Sequence, residues 1–243
     1  MAETTSTVAV ASNGYSAQNP QFTLYSHRIG PNGFKVAEVL SELGLHYRTI
    51  FLDFGAGENG MKTPAYEAIN PNGRIPALID HSANDLVVWE SAAIILYVCK
   101  KYDGEFRLWA PTLDEQAQIE TWLMYQATGQ GPYLGQAFWF MLYHPERLDS
   151  ATERYVDETK RVLGIVQKQL AREGSNGWLV LGRITAADIA FLHWYLHIAR
   201  IKIVLKDEFP IVWEWVCRMK ERPGVKAGME GAVFPEGATV LKT

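Results

Sequence analysis

The chain has 243 residues, of which 48% are hydrophobic and 21% are charged, and its formal net charge is −4 at pH 7. This composition is typical of a globular protein, and the negative charge gives no electrostatic reason to expect binding to nucleic acid or to an anionic membrane. No apolar run approaches the roughly 20 residues of a membrane-spanning helix. Two cysteines are too few for a disulfide framework or a thiolate metal site.

Residues 1–21 contain mostly small polar side chains and no Lys or Arg, which favours a mobile leader over a secretory signal or an Arg-rich transit peptide. In the absence of a targeting signal, the expected compartment is the cytoplasm.

The first half of the chain alternates between strand and helix patterns. Strands are predicted over 22–26, 46–54, 76–80 and 86–89, and helices over 33–43, 64–69 and 91–102. The resulting order, βαβαββα, predicts a parallel pair with a right-handed crossover, followed by an antiparallel hairpin.

The second half has helical patterns alone. Helices are predicted over 113–143, over 150–172, over 186–200 and from Pro210 onward. Residues 186–200 are apolar on nearly all sides, which is typical of a central buried helix. Thr185 and Asp188 have the spacing of a capping box at its start. The domains are therefore predicted as follows: leader 1–21, α+β domain 22–103, linker 104–112, all-helical domain 113–233 and tail 234–243.

A turn leads directly into the first helix, in the segment SHRIGPNGFKVAEVL. The amino end of a helix has unpaired N–H groups and partial positive charge, so it suits an anion. Ser26 and Asn32 are the polar side chains nearest to this helix end, and the segment has no cysteine. Asn32 can also be interpreted as an ordinary helix cap.

Two further motifs have a structural and a functional interpretation. Pro76 opens a strand; most such bonds are trans, but a cis bond would turn the backbone of Ile75 outward to pair with a peptide-like ligand. Glu90 and Ser91 stand where a helix begins. They are either a cap or a docking site for the ammonium and carboxylate groups of an amino-acid ligand.

Other common site types are not predicted. Among the histidines, His193 and His197 alone have a helical i, i+4 spacing, and no Glu lies beside them, so no metal site is expected. The chain has no glycine-rich phosphate loop and no Gly-x-Ser-x-Gly elbow. Seven aromatic residues between 122 and 143 exceed what one buried helix face holds, so some are expected to line a groove or a subunit contact.

Taken together, these segments resemble the glutathione transferase family. Within it, the chain is similar to the fungal transferases related to the yeast nitrogen-catabolite regulator. The resemblance covers roughly residues 22–230 and rests on LYSHRIGPNGFKVAEVLSELGLHYRTIFLDF, NPNGRIPALIDH, VWESAAIILYV and ERYVDETKRVLGIV. It implies a thioredoxin-like domain followed by an all-helical domain.

The resemblance also implies roles for individual residues toward glutathione. It implies that Pro76 is cis and that Ile75 holds the cysteinyl backbone. Glu90, Ser91 and Arg74 are expected at the γ-glutamyl end. The thiolate is the expected anion at the helix end, with Asn32 as the first candidate to donate a hydrogen bond to it and Ser26 as the second.

The chain departs from the family at two points. It has no cysteine at the first strand–helix junction, which disfavours the thiol-transfer chemistry of the cysteine-bearing classes. The fungal relative has a His for the glycyl carboxylate in the loop after the second strand. This chain has GAGENGMK there, so Asn59 or Lys62 is the candidate.

The predicted function is activation of the glutathione thiol for attack on a hydrophobic electrophile, with no metal required. The electrophile site is predicted to contain Arg28, Ile29, Trp122, Tyr125, Phe138 and Trp139. Because fungal relatives often serve natural-product pathways, a glutathione-dependent cis/trans alkene isomerase is a second hypothesis. A non-catalytic glutathione-binding regulator is a third. The family also implies a homodimer.

Overall fold

The computed structural model describes residues 19–234 and divides into a sheet-containing part and a helical part. The strands are β1 Phe22–Ser26, β2 Tyr47–Phe51, β3 Ala77–Asp80 and β4 Leu86–Trp89. They form one sheet in the order β2-β1-β3-β4, in which β1 and β2 are parallel and β3 runs antiparallel to both of its neighbours. The predicted parallel pair and the predicted hairpin are both confirmed.

Three helices belong to the sheet-containing part: α1 Pro31–Glu42, α2 Pro64–Glu67 and α3 Ser91–Tyr102. Helix α1 connects the two parallel strands, and its apolar side chains cover the sheet. Val36, Val39 and Leu40 are each at most 1% exposed, as the helical spacing predicts. The element order is the predicted βαβαββα, with boundaries that differ by a few residues.

The helical part follows without further strands among the described residues. Its helices are α4 Leu113–Tyr125, α5 Gly131–Phe138, α6 Asp149–Leu170, α7 Ala186–Tyr195, α8 Leu205–Glu208, α9 Pro210–Lys220 and α10 Pro223–Gly228. Two wide helical turns, Gln126–Gln130 and Trp139–Tyr143, follow α4 and α5. Most of the predicted leader and most of the predicted tail lie outside the described residues. The last two residues of the predicted leader, Pro20 and Gln21, are buried.

Helix α7 is the centre of the helical part, and every one of its ten residues is buried. The predicted capping box is present. The Thr185 backbone N–H donates to Asp188 Oδ2 at 2.9 Å, and the Asp188 side chain also accepts from the backbone N–H of Leu179. The box therefore fixes the start of a helix that has no solvated face to orient it.

Helix α1 also joins the two parts of the molecule. Its polar residues Lys35, Glu38 and Glu42 are 1%, 0% and 6% exposed, although their residue types favour a solvated face. Each contacts the helical part through a side chain: Gln126, His193 and Arg222, respectively. The glycine at 228 lets α10 approach closely, because a Cβ there would lie 2.5 Å from the Cα of Glu38.

The Glu38–His193 contact is buried, with 2.7 Å between Glu38 Oε1 and His193 Nδ1. Burial raises the pKa of Glu38 and lowers the pKa of His193 to about 3. Both shifts favour the uncharged forms. The pair is therefore better described as a neutral hydrogen bond between the domains than as an ion pair.

Candidate active site

A polar cavity of about 640 Å³ lies between α1, the start of α3 and the helical part. Its lining residues are Asn32, Lys35, Arg74, Glu90, Ser91, Gln126, Ala127, Gly131, Pro132, Gly135, Gln136, Trp139 and Trp194. The residues Asn32, Arg74, Glu90 and Ser91, all predicted for the glutathione side, are thus brought to one cavity from three separate segments.

The side chain of Asn32 is oriented by Trp194. The indole Nε1–H of Trp194 donates to Asn32 Oδ1 at 3.1 Å. Because the amide oxygen is used in this way, the Asn32 NH₂ group is the end left to donate to a ligand. Asn32 is not the cap of α1, since the N-cap residue is Gly30 and no side-chain cap bond is present.

Lys35 lies one helical turn after Asn32, and its Nζ donates to Gln126 Oε1 at 2.5 Å. Burial lowers the pKa of Lys35 to about 7, against the charge of Glu90, which raises it. Near neutral pH, the ammonium form and the free amine of Lys35 therefore have similar populations. A strongly shifted pKa in a cleft is typical of functional lysines.

The side-chain amides of Gln126 and Gln130, both buried, determine which atom of Gln126 faces Lys35. Gln130 Nε2 donates to the backbone carbonyl of Phe191, which can only accept. Gln130 Oε1 therefore accepts from Gln126 Nε2 at 3.0 Å, and Gln126 Oε1 faces Lys35. Lys35 therefore has one fixed acceptor, and it lines the polar cavity.

Glu90 and Ser91 begin α3 with unusual geometry. Glu90 is the N-cap residue, has φ 69° and makes no side-chain cap bond. Ser91, at 6% exposed, is the first helical residue. The interpretation of this pair as a side-chain cap is therefore wrong, because Glu90 occupies the N-cap position without a cap bond and Ser91 already lies in the helix. A positive φ at a residue other than Gly costs about 1–3 kcal/mol and is often found at functional sites.

The Ile75–Pro76 peptide bond is cis, as the resemblance implies. None of the described residues hydrogen-bonds to the backbone N–H or C=O of Ile75. The preceding carbonyl, that of Arg74, accepts from Tyr66 Oη at 2.8 Å and from Asn70 Nδ2 at 2.6 Å. These free backbone groups suit pairing with an extended peptide.

An apolar cavity of about 560 Å³ adjoins the polar one. It is lined by Ile29, Gly30, Pro31, Phe54, Arg74, Gly135, Phe138, Trp139, Tyr143, Trp194, His197 and Arg200. Four of these residues also line the polar cavity: Arg74, Gly135, Trp139 and Trp194. A polar ligand and an apolar ligand bound side by side would therefore meet near Trp194.

A third cavity, of about 450 Å³, extends from Asn32 to the loop after β2 and includes Lys62 and Ile75. The Lys62 Nζ donates to the carbonyl of Asn72 at 2.8 Å. Asn59 is exposed and is not among the residues that line this cavity. The placement favours Lys62 over Asn59 as the partner of a ligand carboxylate.

Ser26 does not line the polar cavity. Its side chain is 1% exposed and lies behind Gly33, where an added Cβ would come within 1.9 Å of Ser26 Oγ. Its hydroxyl has no hydrogen-bond partner among the described residues. This placement favours Asn32 over Ser26 as the donor to a ligand.

Three residues predicted for the electrophile site lie elsewhere. Arg28 stacks over Phe51, with Cζ 4.3 Å from the ring centroid, and donates to the carbonyl of Gly231 at 3.2 Å. Trp122 and Tyr125 pack on Phe191 in the helical core, at 6.1 and 6.2 Å between ring centroids. Of the predicted set, Ile29, Phe138 and Trp139 do line the apolar cavity.

Several lining residues were not predicted: Lys35, Phe54, Gln126, Tyr143, Trp194, His197 and Arg200. Trp194 belongs to the helix that was correctly predicted to be central. A buried indole N–H needs a hydrogen-bond acceptor, and this need was a usable signal that Trp194 contacts a polar group. Tyr143 belongs to the aromatic run of which some members were expected to line a groove. The others gave no local signal, because they become neighbours through the packing of segments that are distant in the chain.

Within residues 19–234, no group of three or more His, Cys, Asp or Glu side chains is arranged to hold a metal ion. In the same span, no helix has both the length and the apolar character needed to cross a membrane.

Family models match both halves of the chain. The model for the glutathione S-transferase N-terminal domain matches residues 20–100. The model for the glutathione S-transferase C-terminal domain matches residues 132–223. The first match contains Asn32, Ile75 and Ser91, and the second contains Trp194.

Individual relatives are fungal proteins. The transcriptional regulator URE2 of Saccharomyces cerevisiae is 43% identical over 86% of this chain and 68% of its own length. The chain spans about two thirds of the length of the curated relatives it matches.

Solved structures agree in fold and in sequence. Ure2p in complex with glutathione is 46% identical, with a TM-score of 0.81 over 86% of this chain and 94% of that one. Ure2p was also solved with S-p-nitrobenzylglutathione. The glutathione transferase URE2P6 from Phanerochaete chrysosporium, in complex with oxidized glutathione, is 48% identical, with a TM-score of 0.82 over 88% of this chain and 97% of that one.

Proposed function

Because this chain belongs to the glutathione S-transferase family, we propose that it binds glutathione in the polar cavity and activates the thiol for attack on a hydrophobic electrophile. The observation that carries the proposal is the Trp194–Asn32 hydrogen bond. This bond orients the Asn32 amide as a donor in the wall of the polar cavity. Its partner, Trp194, lines both the polar and the apolar cavity.

Glutathione would lie along the Ile75 backbone, which has unpaired polar groups suited to the cysteinyl unit. Ser91 and the start of α3 suit the γ-glutamyl carboxylate, and Glu90 suits its ammonium group. Lys62 suits the glycyl carboxylate at the other end. Arg74 lines all three cavities and adds positive charge for a ligand with two carboxylates.

A free thiol has a pKa of about 8.5, so a shift of about two units requires roughly 2.7 kcal/mol of preferential stabilisation of the thiolate. The Asn32 NH₂ group and the amino end of α1 supply hydrogen bonds and partial positive charge. Lys35 is the further contributor. As an amine it accepts the thiol proton, and the ammonium that results stabilises the thiolate.

The thiolate then attacks an electrophile in the apolar cavity. With an aryl halide such as 1-chloro-2,4-dinitrobenzene, the carbon–sulfur bond forms and chloride leaves. With a conjugated alkene, the thiolate adds reversibly, and elimination after bond rotation returns glutathione and an isomerised product. A permanent mass gain of one glutathione in the product supports conjugation over isomerisation.

A glutathione-binding regulator without catalysis is the second candidate function. It is favoured by the similarity to a protein named as a transcriptional regulator. Binding of glutathione without turnover of any thiol-reactive electrophile would support this candidate over the transferase.

We further propose that the protein is a homodimer. Leu86, Val87 and Trp89 of the edge strand β4 are 44%, 37% and 39% exposed, and Met124 of α4 is 42% exposed. Exposed apolar side chains on a sheet edge favour association. Light scattering coupled to size-exclusion chromatography distinguishes a mass near 55 kDa from one near the 27.4 kDa of a single chain.

The test of the proposed function compares Asn32→Ala with Ser26→Ala. Glutathione binding is measured by calorimetry, thiolate formation by absorbance near 240 nm against pH, and turnover with 1-chloro-2,4-dinitrobenzene. Loss of a charge-assisted hydrogen bond predicts that Asn32→Ala lowers kcat/KM about 10- to 100-fold and raises the pKa of the bound thiol. Ser26→Ala is expected to retain wild-type turnover. Wild-type turnover in Asn32→Ala would remove Asn32 from the mechanism.

A further inference from the structure

The described wall of the apolar cavity contains two arginines, Arg74 and Arg200, and no acidic side chain. Arg74 also lines the polar cavity and the third cavity, so it belongs to the glutathione side. Arg200 lines neither of those two. It is therefore a cationic group of the electrophile side alone, in a wall that is otherwise mostly aromatic and aliphatic.

Arg200 lies in the helical turn Ile198–Ile201 and is half-buried. Its Nη2 donates to the Tyr143 hydroxyl, and its Cζ lies 5.3 Å from the Phe138 ring centroid. No carboxylate of the described residues is within ion-pair distance of it. A guanidinium group has five N–H donors, so a single hydroxyl partner leaves most of them for a ligand.

The neighbouring histidine does not duplicate this charge. His197 is 2% exposed, and its pKa is lowered to about 3, mainly by burial and in addition by the nearby His193 and Arg200. At neutral pH the imidazole is therefore uncharged. Arg200 remains the cation at this end of the cavity.

We propose that the second substrate is an electrophile with a flat conjugated body and a carboxylate group, and that Arg200 binds the carboxylate. This inference rests on the proposed function. The body would lie against Phe138, Trp139 and Trp194, with its reactive carbon toward Asn32. The carboxylate would form a two-point ion pair with the Arg200 guanidinium.

An unpaired charge in an apolar wall is costly when a ligand covers it. A neutral electrophile of the same shape fills the aromatic space but displaces water from Arg200 without replacing its hydrogen bonds. A carboxylate supplies both a countercharge and two acceptors. Sites built to pair a polar group discriminate strongly against ligands that lack the complementary group.

The experiment uses two matched electrophiles, 4-chloro-3,5-dinitrobenzoate and 4-chloro-3,5-dinitrobenzamide. They share the leaving group and both nitro groups and differ in the charge of the substituent opposite the chlorine. Each enzymatic kcat/KM is divided by the uncatalysed rate constant with glutathione, because the two probes differ in intrinsic reactivity. The quantity compared among proteins is the benzoate-to-benzamide ratio of these rate enhancements.

The wild-type protein is expected to favour the benzoate. Arg200→Met, which removes the charge and keeps a long side chain, is expected to lower the ratio about 10- to 100-fold. Arg200→Lys is expected to recover part of it. Arg172→Met, a change of an exposed arginine at the end of α6, is the control for net charge. An unchanged ratio in Arg200→Met, or a wild-type preference for the benzamide, overturns the inference.

A binding measurement separates this inference from the proposed function. The compound 3,5-dinitrobenzoate lacks the leaving group, and its binding is measured by quenching of tryptophan fluorescence, since Trp139 and Trp194 line the cavity. If neither electrophile reacts but Arg200→Met weakens this binding tenfold or more, the anion site stands and the transferase proposal fails. If both electrophiles react and Arg200→Met leaves the binding unchanged, the transferase stands and the anion site fails.

Discussion

The polar cavity and the apolar cavity share a wall but are built in different ways. The residues predicted for glutathione in the polar cavity come from short motifs of the sheet-containing part, each at a strand end or a helix start. The apolar cavity takes most of its wall from α5, the turn after it, and the segment from Trp194 to Arg200. Helix packing completes both cavities, but short motifs predict the glutathione side of the polar cavity, whereas most of the apolar wall has no such motif.

This difference separates the two chemical tasks. Backbone groups at fixed turns suit a peptide ligand whose shape does not vary. The side chains that line a cavity between packed helices can be substituted with little effect on the fold. Such a wall therefore suits recognition of a second, variable substrate. Trp194 belongs to both, because its indole N–H orients Asn32 and its ring lines the apolar side.

The largest effect is expected from Lys35→Met, which acts on the thiol and therefore on every electrophile alike. We expect kcat/KM at pH 6.5 to fall roughly 30-fold for both a charged and a neutral electrophile, because the bound thiol regains a higher pKa. A loss confined to one electrophile would contradict the assignment of Lys35 to the polar cavity.

The same variant has an opposite effect on stability. The folded pKa of Lys35 is about 7, below its value near ~10.4 in the unfolded chain, so the unfolded state binds more protons between these values. Wild-type stability therefore rises with pH in that window, and Lys35→Met removes the rise. Urea unfolding is expected to show Lys35→Met more stable than the wild type at pH 6, with no gain at pH 10.5. Equal destabilisation at both pH values would contradict the buried-lysine assignment.

An intermediate effect is expected from Trp194→Phe, which tests whether the shared wall couples the two cavities. Without the indole N–H, Asn32 is no longer oriented, and we expect kcat/KM to fall about 10-fold together with a higher pKa of the bound thiol. Trp178→Phe, in a different cavity, is the matched control. A change in the KM of the electrophile with no change in thiol pKa would limit Trp194 to the apolar side.

The smallest effect is expected from Lys62→Ala. Lys62 lines the third cavity. An exposed lysine–carboxylate pair contributes little, so we expect the Kd for glutathione to rise about 3-fold, with kcat at saturating glutathione unchanged. Asn59→Ala is the comparison, because Asn59 does not line this cavity. Calorimetry that shows the larger loss for Asn59→Ala would reverse the choice between them.

The fold was predictable because its signals are local. Alternating and helical periodicities gave the strand and helix order, and the resemblance to glutathione transferases is confirmed by both family models. Among the site residues, Asn32, Ile75, Glu90 and Ser91 were predicted from motifs at turns. Arg28, Trp122 and Tyr125 were assigned to the electrophile side on residue type and proximity in sequence, which do not decide where a side chain packs.

The sequence by itself determined the order of the elements, the apolar face of α1 and the capped, fully buried helix α7, because these depend on neighbours within one or two turns. Tertiary structure alone decided that Lys35, Glu38 and Glu42 are buried as well. Their spacing looks like a solvated face until the helical part covers it and provides a partner for each. The pKa of Lys35, the orientation of Asn32 and the unpaired Arg200 all follow from that packing, since burial and charge pairing depend on residues far away in the chain.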